Sequence, residues 1–234
     1  SYGKDLGVGL ETLLGELAGV EGVEWLRLSY LQPAEIRPSL IEAVAVTPHV
    51  VPYFDLPFQH ASGPVLKRMR RYGDGAAFLA LLAQIRAAVP AAGIRTNVIV
   101  GFPGETAADV DALTEFLGAA DLDAVGVFPY SDEEGTAGAR LDGHLDEAEI
   151  LARTADVAQF ADTVTAARAA ARTGETVTVL VESAAGGRAA QQGPEDGRTY
   201  LPPGPGRGVG DIVVGRITAT DGVDWQVDDG RGTT

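Results

Sequence analysis

The stretch Arg95–Thr106, RTNVIVGFPGET, constrains the fold more than any other. It reads as a strand, a phosphate-loop-like turn and the first residue of a helix. Ile94, Thr96, Val98, Val100 and Phe102 fall on one face of the strand, and Arg95, Asn97, Ile99 and Gly101 on the other. Gly101-Phe102-Pro103-Gly104 breaks the extended run, and its two glycines allow a close backbone approach to a ligand. Thr106 precedes Asp109 by three residues, a capping-box-like start for a helix carrying Val110, Leu113, Phe116 and Leu117. Open α/β sheets and barrels bind ligands where strands deliver glycines and helix N–H groups at their carboxyl ends. An ordinary strand–turn–helix has the same spacing.

The same unit recurs along the chain. Leu10, Leu13, Leu14 and Leu17 predict a helix over 10–20 closed by Gly22, and Glu24–Leu31 alternates as a strand. A helix from Ala34 to Val46 follows, stopped by Pro48. Residues 53–60, YFDLPFQH, form the next strand, made irregular by Pro57. Ser62-Gly63-Pro64 opens a short helix through Met69, and Asp74 begins a longer one bearing Phe78, Leu81, Leu82 and Ile85. Ala124–Tyr130 is a fourth strand. Strands alternating with helices imply βαβ units, a parallel sheet and the α/β class. Three of these strands carry a polar face: Arg27 with Ser29, Asp55 with Gln59, and Arg95 with Asn97. Buried parallel strands are usually continuous apolar runs. In a curved sheet the polar faces would line a lumen, as a polar-ligand cavity or as internal ion pairs of Asp55 with an arginine. The cavity is preferred, because filled barrels favour branched aliphatic side chains there.

Beyond residue 145 the pattern changes. An alanine-rich helix runs from Asp146 to Thr173, with Ile150, Val157, Phe160, Val164 and Ala167 near one stripe and Gly174 as its cap. Glu175–Ser183, Ile212–Thr220 and Val223–Val227 are β-rich and separated by Gly/Pro-dense linkers. The organisation expected is an α/β unit over 1–145, a connecting helix over 146–173, a small all-β module of OB-like type over 174–228, and a disordered tail over 229–234.

Composition excludes several functions. The chain has no cysteine, hence no disulfide, thiolate nucleophile or cysteine-held cluster of its own. His49, His60 and His144 are isolated in sequence, and no metal site is expected from them. A net charge of −15 argues against a general nucleic-acid binder and suits a basic protein partner. No apolar run reaches membrane-spanning length and nothing resembles a signal peptide, so a cytoplasmic location is expected. The first residue is Ser1 and the single methionine is Met69, so we expect a piece of a longer product. Lys67, Arg68, Arg70 and Arg71 form a local basic cluster, a solvated face or a contact for substrate or phosphate. Asp132, Glu133 and Glu134 form an acidic loop on the ligand side of the last strand, able to meet a basic substrate or merely to cap the sheet's mouth.

Four ordered segments resemble the radical S-adenosylmethionine methylthiotransferases, most closely the RimO-like branch. They are Tyr2-Gly3-Lys4-Asp5-Leu6; Gln59-His60-Ala61-Ser62 with Leu66-Lys67-Arg68-Met69; Arg95-Thr96 through Gly101–Thr106; and Val127–Ser131 with Glu134-Gly135-Thr136. The β-module resembles the family's TRAM domain through Val181-Glu182, Gly187-Arg188, Gln192, Pro194-Glu195 and Val209-Gly210-Asp211. The turn motif is shared by many radical enzymes, whereas the ordered set is specific.

The resemblance implies a partial parallel (β/α) barrel with S-adenosylmethionine across its strand ends. It implies cofactor contacts from Gly101, Phe102, Pro103, Gly104 and Glu105, from Phe128 and Tyr130, and from Gln59 and His60 facing the reaction chamber. Alternation and charge add Arg95, aimed inward at a carboxylate. The family's iron–sulfur cluster is held by a Cys-x3-Cys-x2-Cys loop that has no counterpart here, so the chain alone is expected to be inactive and no catalytic residue is assigned. The implied substrate is an aspartate of a small-subunit ribosomal protein. A transfer-RNA substrate and a non-catalytic binding remnant are the alternatives. Residues 172–234 hold six Arg and no Lys against nine Asp plus Glu. This net acidic module favours a basic ribosomal protein over RNA.

Overall fold

The computed structural model describes residues 2–3, 5–204 and 206–231. Lys4 of the first motif and Gly232–Thr234 of the tail lie outside the described residues. A three-stranded parallel sheet holds β1 (Tyr53–Asp55), β2 (Gly93–Val100) and β3 (Ala124–Pro129) in that order. The helices are α1 (Leu10–Ala18), α2 (Pro38–Val46), α3 (Gly63–Arg68), α4 (Gly75–Ala88), α5 (Ala107–Ala119) and α6 (Glu147–Ala171). Ile94, Val98 and Val100 of β2 are fully buried with Phe54, Leu56, Phe78, Leu82, Ile85, Leu113 and Phe116. Phe58, Phe78 and Phe116 interlock at its centre, with ring centroids 4.3 to 6.0 Å apart.

Several expectations are corrected. Glu24–Leu31 makes only an isolated parallel bridge, Leu26 to Val50, plus the bond from Leu31 N to the Asp55 carbonyl. Tyr30 has φ of +58°, which breaks the extended backbone a strand requires. The helix expected over 34–46 is split into a 3-10 turn, Pro33–Glu35, and α2. Pro38 cannot continue a helix and holds Arg37 extended, so it starts a new one. β1 ends at Asp55, before Pro57, and pairing resumes through Gln59 N to the Asn97 carbonyl. The first helix is capped at Gly19 rather than Gly22.

On α6 the buried stripe is Val157, Ala161, Thr165 and Ala169, with Ala167 exposed. The strict four-residue spacing of small side chains lets this long helix lie close to the sheet. Beyond it, β4 (Thr176–Ser183), β5 (Gly186–Ala189), β6 (Thr199–Tyr200), β7 (Ile212–Asp221) and β8 (Asp224–Asp228) close a small barrel in the order β4-β5-β6-β8-β7. Its core gathers Val177, Val179, Val181, Val213, Ile217, Trp225 and Val227. Asp229, expected in a disordered tail, has its side chain buried and its carboxylate 3.4 Å from Arg207 Nη1.

The barrel is fastened to the amino ends of the parallel strands. Arg172, fully buried, donates to Asp123 Oδ1 at 2.6 Å, to Glu175 at 2.9 Å and to the Ala92 carbonyl, and lies over the Trp225 ring. A Cβ on Gly93 would sit 1.9 Å from the Gln191 carbonyl oxygen, so only glycine permits this approach. Among the described residues no helix is long and apolar enough to cross a membrane.

Candidate ligand-binding site

A cavity of about 420 Å³ opens at the carboxyl ends of β2 and β3. Its wall includes Gln59, Asn97, Ile99, Phe102, Phe128 and Tyr130, and α3 contributes Arg68 with the residues that follow it. Asn97 and Ile99 reach it because they share the face of β2 that period-two alternation sets opposite the core. Gln59 adopts φ of +71°, a left-handed conformation costly for a glutamine, at the point where the chain leaves β1. Phe128 is 49 % exposed and turns an uncovered ring to the opening. Tyr130 packs edge-on against Phe102 with centroids 5.1 Å apart and donates to Asp132 Oδ1 at 2.7 Å. Burial, then the neighbouring Asp132, pushes its phenol up to about 12, so Tyr130 is a protonated donor throughout the physiological range.

The backbone N–H groups of the glycine turn are engaged within the protein. Gly101 N donates to Glu105 Oε2 at 2.9 Å, Gly104 N to the Gly143 carbonyl at 2.7 Å, and Glu105 N to the Phe102 carbonyl at 2.9 Å. The helix start is closed too: Thr106 N donates to Asp109 Oδ2 and Asp109 N to Thr106 Oγ1, completing a capping box. With these N–H groups committed, the turn has little to offer a phosphate. Its glycines answer a different need. A Cβ on Gly101, whose φ is +85°, would meet Ile150 of α6 at 2.6 Å, and one on Gly104 would meet the Arg68 guanidinium at 2.7 Å. The close approach is to the protein itself.

His60 and Glu105 also face inward. His60 is fully buried, its Nδ1 accepts the amides of Ala61 and Ser62, and its Nε2 lies 3.3 Å from Glu105 Oε2. Glu105 Oε1 accepts from Arg153 of α6 at 3.1 Å. This network ties the segment between β1 and α3, the turn and α6 together. Pro103 presents its carbonyl to Arg68 Nε at 2.8 Å.

Arg95 does not line the cavity itself, although its Nη2 donates to Oδ1 of Asn97 on the cavity wall at 3.2 Å. It points at the barrel, with Nε 3.0 Å from Asp196 Oδ1 and Nη2 3.1 Å from Glu195 Oε2. Asp196 also accepts from Tyr53 Oη at 2.6 Å, and burial holds its carboxyl above the usual range. The inward carboxylate expected for Arg95 therefore exists, but on the barrel. Asp55 instead accepts from Tyr30 N at 3.0 Å, and Arg27 lies over the rings of Trp25 and Tyr53. Of the ten residues singled out by sequence, Gln59, Phe102, Phe128 and Tyr130 share the cavity; Arg95, Gly101, Pro103, Gly104, Glu105 and His60 serve the frame around it. Alternation alone pointed to Asn97 and Ile99, whereas Arg68 stood out in the sequence only as one of a basic cluster, with nothing to mark it as a clamp on the turn.

No family model matches the chain. It is 58 % identical over 235 residues to the ribosomal protein uS12 methylthiotransferase RimO of Nocardioides sp., covering 96 % of this chain and 49 % of that protein. It is 55 % identical over 234 residues to the RimO protein of Saccharopolyspora erythraea, covering 97 % and 48 %. Among solved structures it is similar to coproporphyrinogen III oxidase from Escherichia coli, a radical SAM enzyme, with a TM-score of 0.52 and 15 % identity. That match covers 60 % of this chain and 32 % of the other, and is a likeness of fold. The chain spans about half the length of the curated relatives it matches, and over nearly all of its own length it belongs to the RimO family of ribosomal protein uS12 methylthiotransferases.

Proposed function

We propose that this chain forms the part of a radical S-adenosylmethionine methylthiotransferase that holds the adenosyl end of S-adenosylmethionine, within a partial (β/α) barrel followed by a TRAM-like β-barrel. The observation that carries the reading is the cavity at the strand ends, where Gln59, Phe102, Phe128 and Tyr130 meet. Its volume falls in the range of cofactor sites. The exposed ring of Phe128 offers a stacking face to a purine; the Gln59 amide offers a donor and an acceptor to ribose hydroxyls, and Asn97, whose Oδ1 accepts from Arg95, offers its NH2. S-adenosylmethionine, when bound, supplies the radical and methyl chemistry; the residues here bind and orient it. An iron–sulfur cluster finds no thiolate in this chain, and among the described residues no group of three His, Asp or Glu side chains is placed to hold a metal. This chain therefore performs no cluster-dependent step by itself.

The whole enzyme, on this reading, adds a methylthio group to an aspartate of the basic ribosomal protein uS12, and the acidic β-barrel module helps to engage that protein inside the cell. Calorimetric titration of the chain with S-adenosylhomocysteine tests the cavity assignment. Saturable binding that Phe128→Ala weakens roughly tenfold is expected from the loss of a base-stacking partner. No binding, or binding indifferent to that substitution, refutes it.

A further inference from the structure

The Asn97 side chain has one hydrogen-bond partner among the described residues, and that partner decides which way its amide points. Arg95 Nη2 donates to Asn97 Oδ1 at 3.2 Å from two residues back on the same face of β2. A guanidinium carries donors and no acceptor, so only the amide oxygen can face it, and the NH2 is turned away. Opposite Asn97 on β3 stands Gly126. A Cβ there would lie 2.4 Å from Asn97 Oδ1 and 2.9 Å from the Phe128 ring. Glycine leaves the room in which the amide and the aromatic ring lie side by side on the cavity wall.

Arg95 is braced in turn from the barrel. Its Nε lies 3.0 Å from Asp196 Oδ1, and the same Nη2 that serves Asn97 also donates to Glu195 Oε2 at 3.1 Å. Asp196 is buried, and its other oxygen accepts from Tyr53 Oη at 2.6 Å and from Gly193 N at 2.8 Å. The carboxylate that holds Arg95 is therefore itself fixed, from β1 and from the loop between β5 and β6. Glu195, by contrast, is exposed. The contacts run from that barrel loop through Arg95 to Asn97, although among the described residues no part of the barrel lines the cavity.

We propose that Arg95 is a positioning residue for the cavity: held by Glu195 and Asp196, it fixes the Asn97 amide with its NH2 toward the ligand, so that the β-barrel sets the affinity of a site it does not touch. An amide free to turn would present donor and acceptor alternately, and the ligand would have to choose one orientation on binding. Fixed by Arg95, Asn97 meets an acceptor atom of the ligand with its donor already aimed. The inference rests on the cavity receiving the adenosyl group, and it adds to that reading how one polar contact is oriented from outside the cavity.

Calorimetric titration with S-adenosylhomocysteine tests it through a double-mutant cycle. Asn97→Ala should weaken binding roughly fivefold, the scale of one hydrogen bond. Arg95→Lys keeps a cation beside Asp196, but a single ammonium cannot brace the barrel loop and the amide together, and a loss of about threefold is expected. The double variant should bind no more weakly than Asn97→Ala alone, because Arg95 acts through Asn97; a merely structural Arg95 would give additive losses. Glu195→Ala, on the exposed surface where it does not threaten folding, should weaken binding about twofold with the melting temperature of the parent. The side-chain NH2 cross-peaks of Asn97 in a ¹H–¹⁵N spectrum, identified by their loss in Asn97→Ala, should move on saturation of the parent and move less in Arg95→Lys. Parent-like affinity in either Arg95→Lys or Glu195→Ala, additive losses in the cycle, or unmoved Asn97 cross-peaks overturn the proposal. If the parent binds and Phe128→Ala weakens it while the cycle is additive, only this inference falls. Absence of binding by the parent refutes the cavity assignment and this inference with it.

Discussion

His60 Nε2 lies 3.3 Å from Glu105 Oε2 with both side chains fully withdrawn from solvent, so the glycine turn and the segment between β1 and α3 are joined through the interior and not through the ligand cavity. Glu105 is the hub. It accepts Gly101 N on one oxygen and Arg153 on the other. Glu105→Ala would leave the buried Gly101 amide without its acceptor and strip Arg153 of one of its two carboxylates, Glu149 being the other. We expect a loss of about 3 kcal/mol, the scale of breaking a buried charged pair, read as a lower midpoint in chemical denaturation. A midpoint within experimental error of the parent would show that the network contributes nothing.

Gly101 separates the two explanations for the turn. Gly101→Ala places a methyl 2.6 Å from the Ile150 side chain on a backbone with φ of +85°. We expect a destabilisation of about 2 kcal/mol, part conformational and part steric. Adding Ile150→Ala should recover the steric share in a double-mutant cycle. If the paired change recovers nothing, Ile150 is not what glycine makes room for.

Arg172 holds the barrel to the sheet through Asp123, Glu175, the Ala92 carbonyl and Trp225. Arg172→Leu sets a hydrophobic side chain against the buried Asp123 carboxylate, which keeps Arg168 at 3.3 Å and the Ile94 amide at 2.8 Å. A cost of about 3–5 kcal/mol is expected. Protease cleavage between α6 and β4 should accelerate in the variant; unchanged cleavage would mean that the barrel is held by other contacts.

Acid should reveal Asp109. Burial alone would raise its carboxyl, but hydrogen bonds from Ser62 and Thr106 outweigh it and hold the group below its ordinary value of 3.8. Because the folded value is the lower one, the stabilisation is present above about pH 3.8 and disappears as pH falls through the folded value. Asp109→Asn should therefore lower the melting temperature at pH 6 and narrow its gap to the parent near pH 3. A gap that is constant with pH would show that the charge on Asp109 is immaterial.

Periodicity and capping chemistry were sufficient wherever the deciding contacts are local. Thr106 with Asp109, Asp74 and Ser62 each start the helix that their side chains announce, and β2 lies where its alternation places it. Segments stabilised from elsewhere were read less well. Glu24–Leu31 has strand alternation but meets β1 at only a few bonds, and β5 and β6 are too short to carry a period.

What the sequence by itself determined is the order of α and β elements, the absence of any thiolate, and an acidic chain bearing a wall of Phe128 and Tyr130 at the strand ends. Only the tertiary structure decided which polar residues face that cavity. His60, Glu105 and Arg95 have the same chemistry as ligand-binding residues, and a sequence does not show which buried partner claims each one. Arg153, on α6, and Asp196, on the barrel, claim them across 48 and about 100 positions of chain, respectively. A buried charge must find a partner wherever the fold brings one, and that distance in sequence leaves no periodic trace.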